Sequence, residues 1–496
     1  MLIECECTPT SNSFFSLLTI DFLYICHMAQ RRNNYPLLEN IEILDIADKG
    51  NTFAKFNELA LFITGGVPGD IVDIQVTKKK KSFLEGRIVK THQLSTLRDT
   101  PFCAYFGVCG GCKWQHMAYP EQLKFKQRQV SDQLQRIGKV ELPDITPILP
   151  APATKFYRNK LEFSFSHLRW LLDKDKNLED QGELRGLGFH VPGRFDKVVD
   201  IDQCWLQPEP SNAIRNGLRK FALDNDFSFF NIRAHEGLLR TLILRDTMQG
   251  ELMVIVTFFD NEPEKIEAVM NYLKTAFPQI TSLMYAINQK GNDSIYDQNV
   301  LLYSGKDHII EDFEGIQFKI GPKSFFQTNS KQALELYKIT RDYAGIKSTD
   351  VVYDLYTGTG TIANFVAHQA KKVVGVEYVP EAIEDAKVNA QHNKIANTIF
   401  FAGDMKDVLT ADFIALHGKP DVLITDPPRA GMHEDVIARI MEAEPKVIVY
   451  VSCNAATQAR DLSLMSSKYK VTKVQAVDMF PHTHHTESVV RLELIG

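Results

Sequence analysis

The sequence lacks the features by which membrane-bound and exported chains are recognised. No part of its 496 residues forms an apolar run long enough to span a bilayer, and no basic segment precedes an apolar one at its N-terminus. The apolar stretch from Phe14 to Cys26 is short, and Asp21 interrupts it. We therefore expect a cytoplasmic protein without membrane contact. Residues 1–35 are expected to be a leader that is disordered or reflects a wrongly assigned start, with Met28 as the true start.

Cysteine is scarce, and its count argues against a disulfide framework. Of the eight cysteines, Cys5, Cys7 and Cys26 lie in the doubtful leader, which leaves an odd number, five. In a chain without an export signal, this favours metal binding or catalysis in a reducing compartment. Repeats of fixed period and long low-complexity segments are missing as well.

A general excess of positive charge is also missing, since the formal net charge is −6. The distribution is nevertheless uneven, because residues 28–150 contain 17 Lys plus Arg against 13 Asp plus Glu. A basic N-terminal region on an acidic body is typical of a tethered RNA-binding module.

The apolar pattern divides the chain into folded parts. Short strands separated by Gly and Pro turns over residues 39–92 predict a small antiparallel barrel. From residue 320 onward, strands at 351–355, 372–377, 398–401, 422–425 and 447–451 alternate with helices, which predicts a mostly parallel, covered sheet. We thus expect a multidomain protein: a barrel at 36–95, a central α+β domain at 96–320 and a Rossmann-like α/β domain at 321–496.

The first strand of the α/β domain leads into a glycine-containing loop, Asp354-Leu-Tyr-Thr-Gly-Thr-Gly360, and Glu377 ends the second strand. Glycines let the backbone approach a ligand, and a carboxylate at that tip can accept hydrogen bonds from a ribose diol. A dinucleotide fingerprint would have a third glycine where Ala363 stands. S-adenosylmethionine has no pyrophosphate and tolerates this difference, so the pattern favours a methyl donor over NAD.

Further polar residues are candidates for the same crevice, because ligands of such sheets bind beyond the carboxyl ends of the strands. Asp404 follows the third strand and is placed to meet an adenine, although capping a helix is the commoner role of such a residue. Asp426 ends the fourth strand. Gln327 precedes the first strand, and by composition it is only a polar residue after two phenylalanines.

Cys453 follows the last apolar strand at the same edge. A buried cysteine is usually a small core residue, but here it lies beside the predicted cofactor. C5 of uracil becomes a carbon nucleophile only after a thiolate adds to C6, and cysteine both attacks and leaves well. Glu487 is the candidate base for the C5 proton. His482, His484 and His485 are expected to pack around the loop rather than to bind a metal.

These residues together resemble the RNA 5-methyluridine methyltransferases of bacterial ribosomal and transfer RNA. Six motifs match in the family's order: Phe325-Phe-Gln327, Asp354 to Gly360, Val374-Gly-Val-Glu377, Asp426 to Gly431, Ser452-Cys-Asn454, and Asp478 to His482 with Glu487-Ser488. The resemblance implies that Gln327, Tyr356, Glu377 and Asp426 bind S-adenosylmethionine, that Cys453 is the nucleophile and that Glu487 is the base. Ala455 stands where the family usually has proline, which changes loop stiffness rather than chemistry.

The resemblance extends upstream. Residues 39–92 are similar to the TRAM domain, an RNA-binding barrel of the oligonucleotide-binding kind. The spacing C-x5-C-x2-C and a later cysteine provide ligands for a metal centre, namely Cys103, Cys109, Cys112 and Cys204. Four thiolates suit either a [4Fe-4S] cluster or zinc, and the resemblance favours the cluster. A radical S-adenosylmethionine enzyme would need C-x3-C-x2-C, which the sequence lacks.

Two arginines of the central region are also similar to a family segment. Arg240 and Arg245 are five residues apart on a predicted strand and should therefore face opposite sides. We expect one of them to contact RNA and the other to pair internally.

The resemblance implies that the chain transfers a methyl group from S-adenosylmethionine to C5 of a uridine in RNA. Family members with both the TRAM domain and the cysteines usually modify 23S ribosomal RNA, which is expected here, with transfer RNA as the alternative. No obligate protein partner is expected. A non-catalytic RNA-binding protein that kept the fold would be recognised by loss of Cys453 or Glu487, and both are present. An oxidoreductase that uses the metal centre for electron transfer would need a flavin or nicotinamide signature, which the sequence lacks.

Overall fold

A computed structural model of the protein describes residues 35–172 and 183–496. The predicted leader lies outside these ranges except for Tyr35, as do Cys5, Cys7 and Cys26. The described residues form two compact units, the first comprising residues 35–47 and 51–95 and the second residues 48–50 and 96–496. Within the described ranges, no helix is both long and apolar enough to cross a membrane.

The first unit consists of strands separated by tight turns. They are β1 (Leu37–Glu42), β2 (Asp45–Ile46), β3 (Thr52–Phe56), β4 (Leu59–Thr64), β5 (Ile71–Lys79) and β6 (Phe83–Gln93). They form one sheet in the order β1-β5-β6-β4-β3-β2. Because only Ile43 and Leu44 separate β1 from β2 at opposite edges, the sheet curls towards closure, as the predicted barrel requires. The barrel is not wholly antiparallel as predicted, because β4 pairs in parallel with β6. Leu61, Ile74 and Val76 belong to its apolar core.

The second unit begins with α1 (Tyr119–Arg136) and β7 (Thr146–Leu149), and a mixed sheet follows. Its strands are β8 (Lys160–Ser166), β9 (Gly186–Val191), β10 (Arg194–Asp200), β11 (Leu239–Asp246), β12 (Leu252–Phe258), β13 (Ser282–Ile287) and β14 (Val300–Gly305). They form the central sheet in the order β10-β9-β8-β11-β12-β13-β14. Helices α2 (Ser211–Asp224) and α3 (Pro263–Ala276) share one apolar core with these strands. The hairpin β15 (Ile309–Phe313) and β16 (Ile316–Ile320) comes next.

Strands and helices then alternate, as the sequence predicts. The strands are β17 (Val351–Leu355), β18 (Lys372–Glu377), β19 (Thr398–Ala402), β20 (Val422–Thr425), β21 (Val447–Ser452), β22 (Tyr469–Val477) and β23 (Glu487–Leu494). The helices are α4 (Ser330–Ala344), α5 (Thr361–Val366), α6 (Pro380–His392), α7 (Met405–Val408), α8 (Ala411–His417), α9 (Glu434–Ala443) and α10 (Ala455–Met465). Their sheet, here the C-terminal sheet, has the order β19-β18-β17-β20-β21-β23-β22-β7. Strands β17 to β21 run parallel, so their carboxyl ends share one edge.

The C-terminal sheet includes a segment that the sequence assigns to the central domain. Strand β7 pairs in parallel with β22. Helix α1 packs Val130 and Leu134 into the same core as Leu462 of α10. The sheet therefore draws on residues 119–149 as well as on residues beyond 320.

The prediction for the two arginines of β11 is wrong. Arg240 is 2% exposed and Arg245 is 5% exposed, because both faces of β11 are covered. Arg240 donates hydrogen bonds to backbone carbonyls of the loop after β13 and pairs with Asp293. Arg245 donates to the carbonyls of Gly321 and Ser324. Both side chains therefore have internal partners.

Candidate active site

Cys453 lies at the end of buried strand β21, directly before α10. Strand β21 pairs antiparallel with β23, and Ser452 is opposite Ser488. Cys453 and Glu487 are therefore neighbours across the two strands, at the shared carboxyl edge. The Asn454 side chain caps α10 by accepting a backbone hydrogen bond of 3.2 Å, which fixes the turn after the cysteine.

The Cys453 thiol is half-buried in acidic surroundings. Burial, Glu487 and Asp426 raise the pKa of this thiol to about 11, whereas the charge and a hydrogen bond of Arg429 act in the opposite direction. The thiol is therefore protonated at neutral pH. Positive charge brought into the pocket would favour the thiolate.

Four carboxyl groups form a row along the carboxyl edge of the C-terminal sheet, in the order Glu377, Asp354, Asp426 and Glu487. Burial raises the pKa of Asp354 to about 7, with a further contribution from Glu377. Burial and Asp354 raise the pKa of Asp426 to about 7, and burial and Asp426 raise that of Glu487 to about 8. Each group thus interacts with the next, from β18 to β23. Such an acidic row favours a cationic ligand.

The loop after β17 packs closely against the tip of β18 and against α6. The Glu377 carboxylate accepts hydrogen bonds from the backbone N–H of Gly358 at 3.1 Å and of Val379 at 3.0 Å, which fixes it at the tip of β18. Gly360 has a φ of 72°, and a Cβ there would lie 2.8 Å from the side chain of Ala386. Only glycine therefore allows α5 to begin this close to α6.

Tyr356 and Asp404 lie near each other at the same edge of the sheet. Tyr356 has a φ of 60°, a left-handed conformation that is uncommon for an aromatic residue. Burial, Asp404, Asp461 and Glu377 raise the pKa of its hydroxyl to about 12, which places the tyrosine among these acids. Asp404 caps α7 by accepting a hydrogen bond from the N–H of Lys406 at 3.2 Å. It therefore has the capping role, and its contact with an adenine stays a prediction.

Gln327 lies in the loop between β16 and α4. Its carbonyl accepts a hydrogen bond from Asn159 Nδ2 at 2.9 Å, and Asn329 donates to the carbonyl of Met479 at 2.8 Å. These bonds tie the loop to the start of the central sheet and to the segment that leads to Glu487. Contact of the Gln327 side chain with a cofactor stays a prediction.

No role was predicted for Arg429 or Tyr337, and both belong to the site. Arg429 is the cation that lowers the pKa values of Cys453 and Glu487. Tyr337 on α4 is buried, and burial followed by Asp426 raises the pKa of its hydroxyl, so it lies behind the acidic row. Arg429 was detectable as a cation directly after a proline pair that follows an acid. Tyr337 is an ordinary aromatic residue of an amphipathic helix and gave no signal.

Helix α1 holds the segment between β22 and β23. Lys126 Nζ lies 2.5 Å from Asp478 Oδ1, and the Tyr119 hydroxyl donates to Asp478 Oδ2 at 2.7 Å. Gln122 accepts a hydrogen bond from the N–H of His482 at 2.9 Å. The position of Glu487, which follows this segment, therefore depends on α1.

The histidines of this segment are neutral at pH 7. Burial lowers the pKa values of His482 and His484 to about 4 and that of His485 to about 3. His485 Nδ1 lies 3.4 Å from a guanidinium nitrogen of Arg429, and the rings of His484 and His485 are 4.1 Å apart. The segment thus packs around the site without adding positive charge.

The remaining predicted ligands lie together in the central domain. One cavity with mainly aromatic and aliphatic walls is lined by Cys103, Cys109, Cys112 and Cys204. Burial raises the pKa of Cys109 to about 12 and that of Cys112 to about 11, and neighbouring cysteines contribute to both. The N–H of Gly111 donates to Cys109 Sγ at 3.4 Å. Across the described ranges, no three His, Cys, Asp or Glu side chains are arranged to hold a single metal ion.

Comparison with known proteins finds relatives over most of the chain. Residues 246–495 match the family described as tRNA (uracil-5-)-methyltransferase, and residues 39–89 match the TRAM domain. An uncharacterised RNA methyltransferase from Bacteroides thetaiotaomicron is 57% identical over 90% of this chain and 100% of the relative. Another from Porphyromonas gingivalis is 54% identical over 91% of this chain and 99% of the relative.

A solved structure is similar along nearly the whole chain. It is the tRNA (uracil-54, C5)-methyltransferase of Pyrococcus abyssi in complex with S-adenosyl-L-homocysteine. The TM-score is 0.70 at 28% identity, and the match covers 91% of this chain and 99% of the other. The likeness is therefore not confined to one domain.

Proposed function

Because the chain belongs to the tRNA (uracil-5-)-methyltransferase family and is an S-adenosylmethionine-dependent RNA methyltransferase with a TRAM domain, we propose that it methylates C5 of a uridine through a covalent adduct with Cys453. One observation carries this proposal. Cys453 at the end of β21 is the neighbour of Glu487 at the start of β23, so a nucleophile and a base meet at one edge.

Cys453 makes the uracil ring reactive. Its thiolate sulfur adds to C6, and the electron pair of the C5–C6 double bond moves towards C5 as an enolate. S-adenosylmethionine supplies an electrophilic methyl group on a sulfonium. As C5 bonds to this methyl group the methyl–sulfur bond breaks, its electron pair stays on the sulfur, and S-adenosylhomocysteine leaves as a neutral thioether. The acidic row from Glu377 to Glu487 favours binding of this positively charged donor. The donor's positive charge would in turn lower the pKa of Cys453 and favour the thiolate, as the charge of Arg429 does.

Glu487 completes the reaction by removing the C5 proton. The electrons of the C5–H bond re-form the C5–C6 double bond, and the sulfur of Cys453 leaves C6. The base therefore receives the one proton that the methyl group replaces. A carboxyl group whose pKa is raised to about 8 is well matched to holding a proton near neutral pH.

The donor's binding residues follow from the crevice. We assign Glu377 to the ribose hydroxyls, because backbone bonds already fix its carboxylate at the tip of β18. Tyr356 and Asp404 would border the adenine, whereas Asp426 and Gln327 would face the methionine part. The sequence predicts the ribose contact of Glu377 and the adenine contact of Asp404, and it names the other three residues only as cofactor ligands. Support for Glu377, Tyr356, Asp404 and Asp426 is their position at the shared edge of the C-terminal sheet, whereas Gln327 is assigned by the family resemblance alone.

A [4Fe-4S] cluster is the second cofactor that we propose, bound by Cys103, Cys109, Cys112 and Cys204. The side chains converge on one mainly apolar cavity, and an N–H donates to a sulfur, as occurs around such clusters. The cluster would cross-link the loop at residues 103–112 to the segment before α2. Zinc is the alternative. Methyl transfer needs no electron from this centre.

The proposed substrate is 23S ribosomal RNA, in the cytoplasm, bound by the TRAM barrel (36–95) and the central domain (96–320) while the methyltransferase domain (321–496) modifies the uridine. Support comes from the combination of a TRAM domain with the cysteines, which is typical of ribosomal enzymes. Transfer RNA is the second candidate, because the similar Pyrococcus abyssi enzyme is a tRNA methyltransferase.

One experiment separates these substrates. The purified protein is incubated with S-adenosylmethionine labelled in its methyl group and, separately, with unmodified ribosomal and transfer RNA, and the digested nucleosides are chromatographed. Label in 5-methyluridine from ribosomal RNA alone is the expected result. Label in 5-methyluridine from transfer RNA would support the proposed reaction but show that transfer RNA is the substrate. Label in neither RNA would refute the proposed reaction.

A further inference from the structure

A surface cavity of about 360 Å³ lies beside the site, between the start of the central sheet and the loop before α4. Its walls include Phe156, Arg158, Asn159, Asp246 and Lys331. We propose that it takes an unpaired nucleotide next to the target uridine, with its base stacked on Phe156. The inference rests on the proposed function, because it presupposes that the substrate is RNA.

Phe156 presents an aromatic ring from an unusual backbone. Its φ is 55°, a conformation that suits glycine, and its side chain is 41% exposed. The N–H of Phe156 donates to the carbonyl of Trp205 at 2.7 Å, and the two rings are 5.5 Å apart. Phe156 is thus held firmly in a strained conformation with much of its ring uncovered.

Such strain is concentrated at functional sites. Among the described phenylalanine, tyrosine and tryptophan residues, Tyr356 is the other with a left-handed backbone, and it lies among the acids of the proposed cofactor site. An exposed, rigid aromatic ring at the wall of a cavity is the usual platform for an unstacked RNA base.

Charges around the cavity give the nucleotide an orientation. Arg158 and the exposed Lys331 are cations that would attract a phosphate, and Arg158 Nε is a buried donor without a hydrogen-bond partner. The Asp246 carboxyl accepts a hydrogen bond from Gln207 at 2.6 Å. It would repel a phosphate but accept from an N–H of a base, so the base is directed towards Asp246 and the phosphate towards the cations.

Arg158 connects this cavity with the surroundings of the proposed nucleophile. Arg158 also lines the neighbouring cavity, together with Thr328 and His485. His485 lies 3.4 Å from Arg429, which acts directly on Cys453. This series of contacts is the basis for assigning the Phe156 cavity to a nucleotide that precedes or follows a uridine at Cys453.

The test compares Phe156→Gly with the wild-type enzyme on the RNA that the wild type methylates. Glycine relieves the backbone strain, so the variant is expected to fold, and it removes only the ring. We expect KM for RNA to rise about tenfold with kcat within about twofold, because a flanking base rather than the reacting one loses its contact. Phe156→Tyr should restore KM. Phe195→Ala, at a phenylalanine that is 61% exposed and lies outside this cavity, is the control and should not change KM.

A second measurement separates stacking from a structural effect. Substrates are prepared with an abasic nucleotide at each position flanking the target uridine. When the abasic nucleotide replaces the base that stacks on Phe156, the wild type and Phe156→Gly should have the same KM, because neither enzyme can then make the stacking contact. Equal KM on intact RNA, or a difference that persists on every abasic substrate, would overturn the inference. Failure of the wild type to methylate any uridine would instead refute the proposed function, and this inference with it.

Discussion

Lys126 and Asp478 form an ion pair with both side chains fully buried, although 352 residues separate them in the chain. The pair joins α1 to the segment that leads from β22 to Glu487. A helix without any residue in the reaction therefore determines where the proposed base lies.

Removal of one partner should destabilise the protein strongly. We expect Lys126→Met to leave an unpaired buried carboxylate at a cost of about 3–5 kcal/mol, seen as a lower Tm. The double variant Lys126→Met/Asp478→Leu should recover much of this loss, because no buried charge remains. Lys124→Met, at an exposed lysine of the same helix, is the control. If Lys126→Met had the same Tm as Lys124→Met, the ion pair would have no stabilising role.

Substitution of the proposed nucleophile should stop the reaction without preventing RNA binding. We expect Cys453→Ala to reduce methylation by at least about a thousandfold, because C5 is not activated, with RNA affinity within about threefold. The same variant should form no adduct with RNA that contains 5-fluorouridine, which traps the wild type because fluorine cannot leave as the C5 proton does. A denaturing gel checks the adduct, and its formation by Cys453→Ala would assign the nucleophile elsewhere.

Substitution of the proposed base should have a different effect. Glu487→Gln keeps the shape of the side chain but cannot accept the C5 proton, so methylated RNA should stay attached to Cys453. We expect this species to accumulate on a denaturing gel with labelled donor, and release to slow at least about a hundredfold. Glu434→Gln, at an exposed residue in the first turn of α9, should behave as the wild type. Release at the wild-type rate would remove Glu487 from the mechanism.

The acidic surroundings predict the pH dependence. Burial raises the pKa values of Glu487 and Cys453 to about 8 and about 11, and both groups must lose a proton to act. The kcat/KM value should therefore increase with pH through the neutral range. Arg429→Ala removes the cation that lowers both pKa values, which should move this increase to higher pH, whereas Arg429→Lys should move it less. A rate profile that is flat between about pH 6 and 9 would contradict this account.

The cysteine cavity gives a prediction that is independent of methyl transfer. The purified protein should contain iron and acid-labile sulfide and show the broad visible absorption of a cluster, and Cys204→Ala should lose most of each. Cys453→Ala should retain them, which makes it the matched control. If anaerobically purified protein contained zinc and no iron, the four cysteines would be assigned to zinc instead of the cluster.

Much of the C-terminal sheet could be predicted from the sequence, because each of the parallel strands β17 to β21 is a largely apolar run that is followed by a polar motif. The family resemblance then gave the reaction and the donor. Alternation of strands and helices brings the carboxyl ends together, so Asp354, Glu377, Asp426 and Cys453 could be expected at one edge before any coordinates were known.

The errors and omissions come from packing that short patterns do not record. Strand β7 is four residues long and apolar only in part, so nothing local shows that it pairs with β22. Arg240 and Arg245 alternate as expected on a strand, but helices and loops cover both faces of β11. The left-handed backbone of Phe156 could not be predicted either, because the sequence has a bulky residue where this conformation favours glycine.

The pairing of β7 with β22 makes the methyltransferase fold discontinuous in the sequence, with the central sheet inserted between its pieces. A fragment that began at residue 321 would leave an unpaired strand edge and an uncovered apolar face where α1 packs. Any minimal fragment designed from this protein must therefore retain residues 119–149, joined to the rest by the central domain or by an engineered linker.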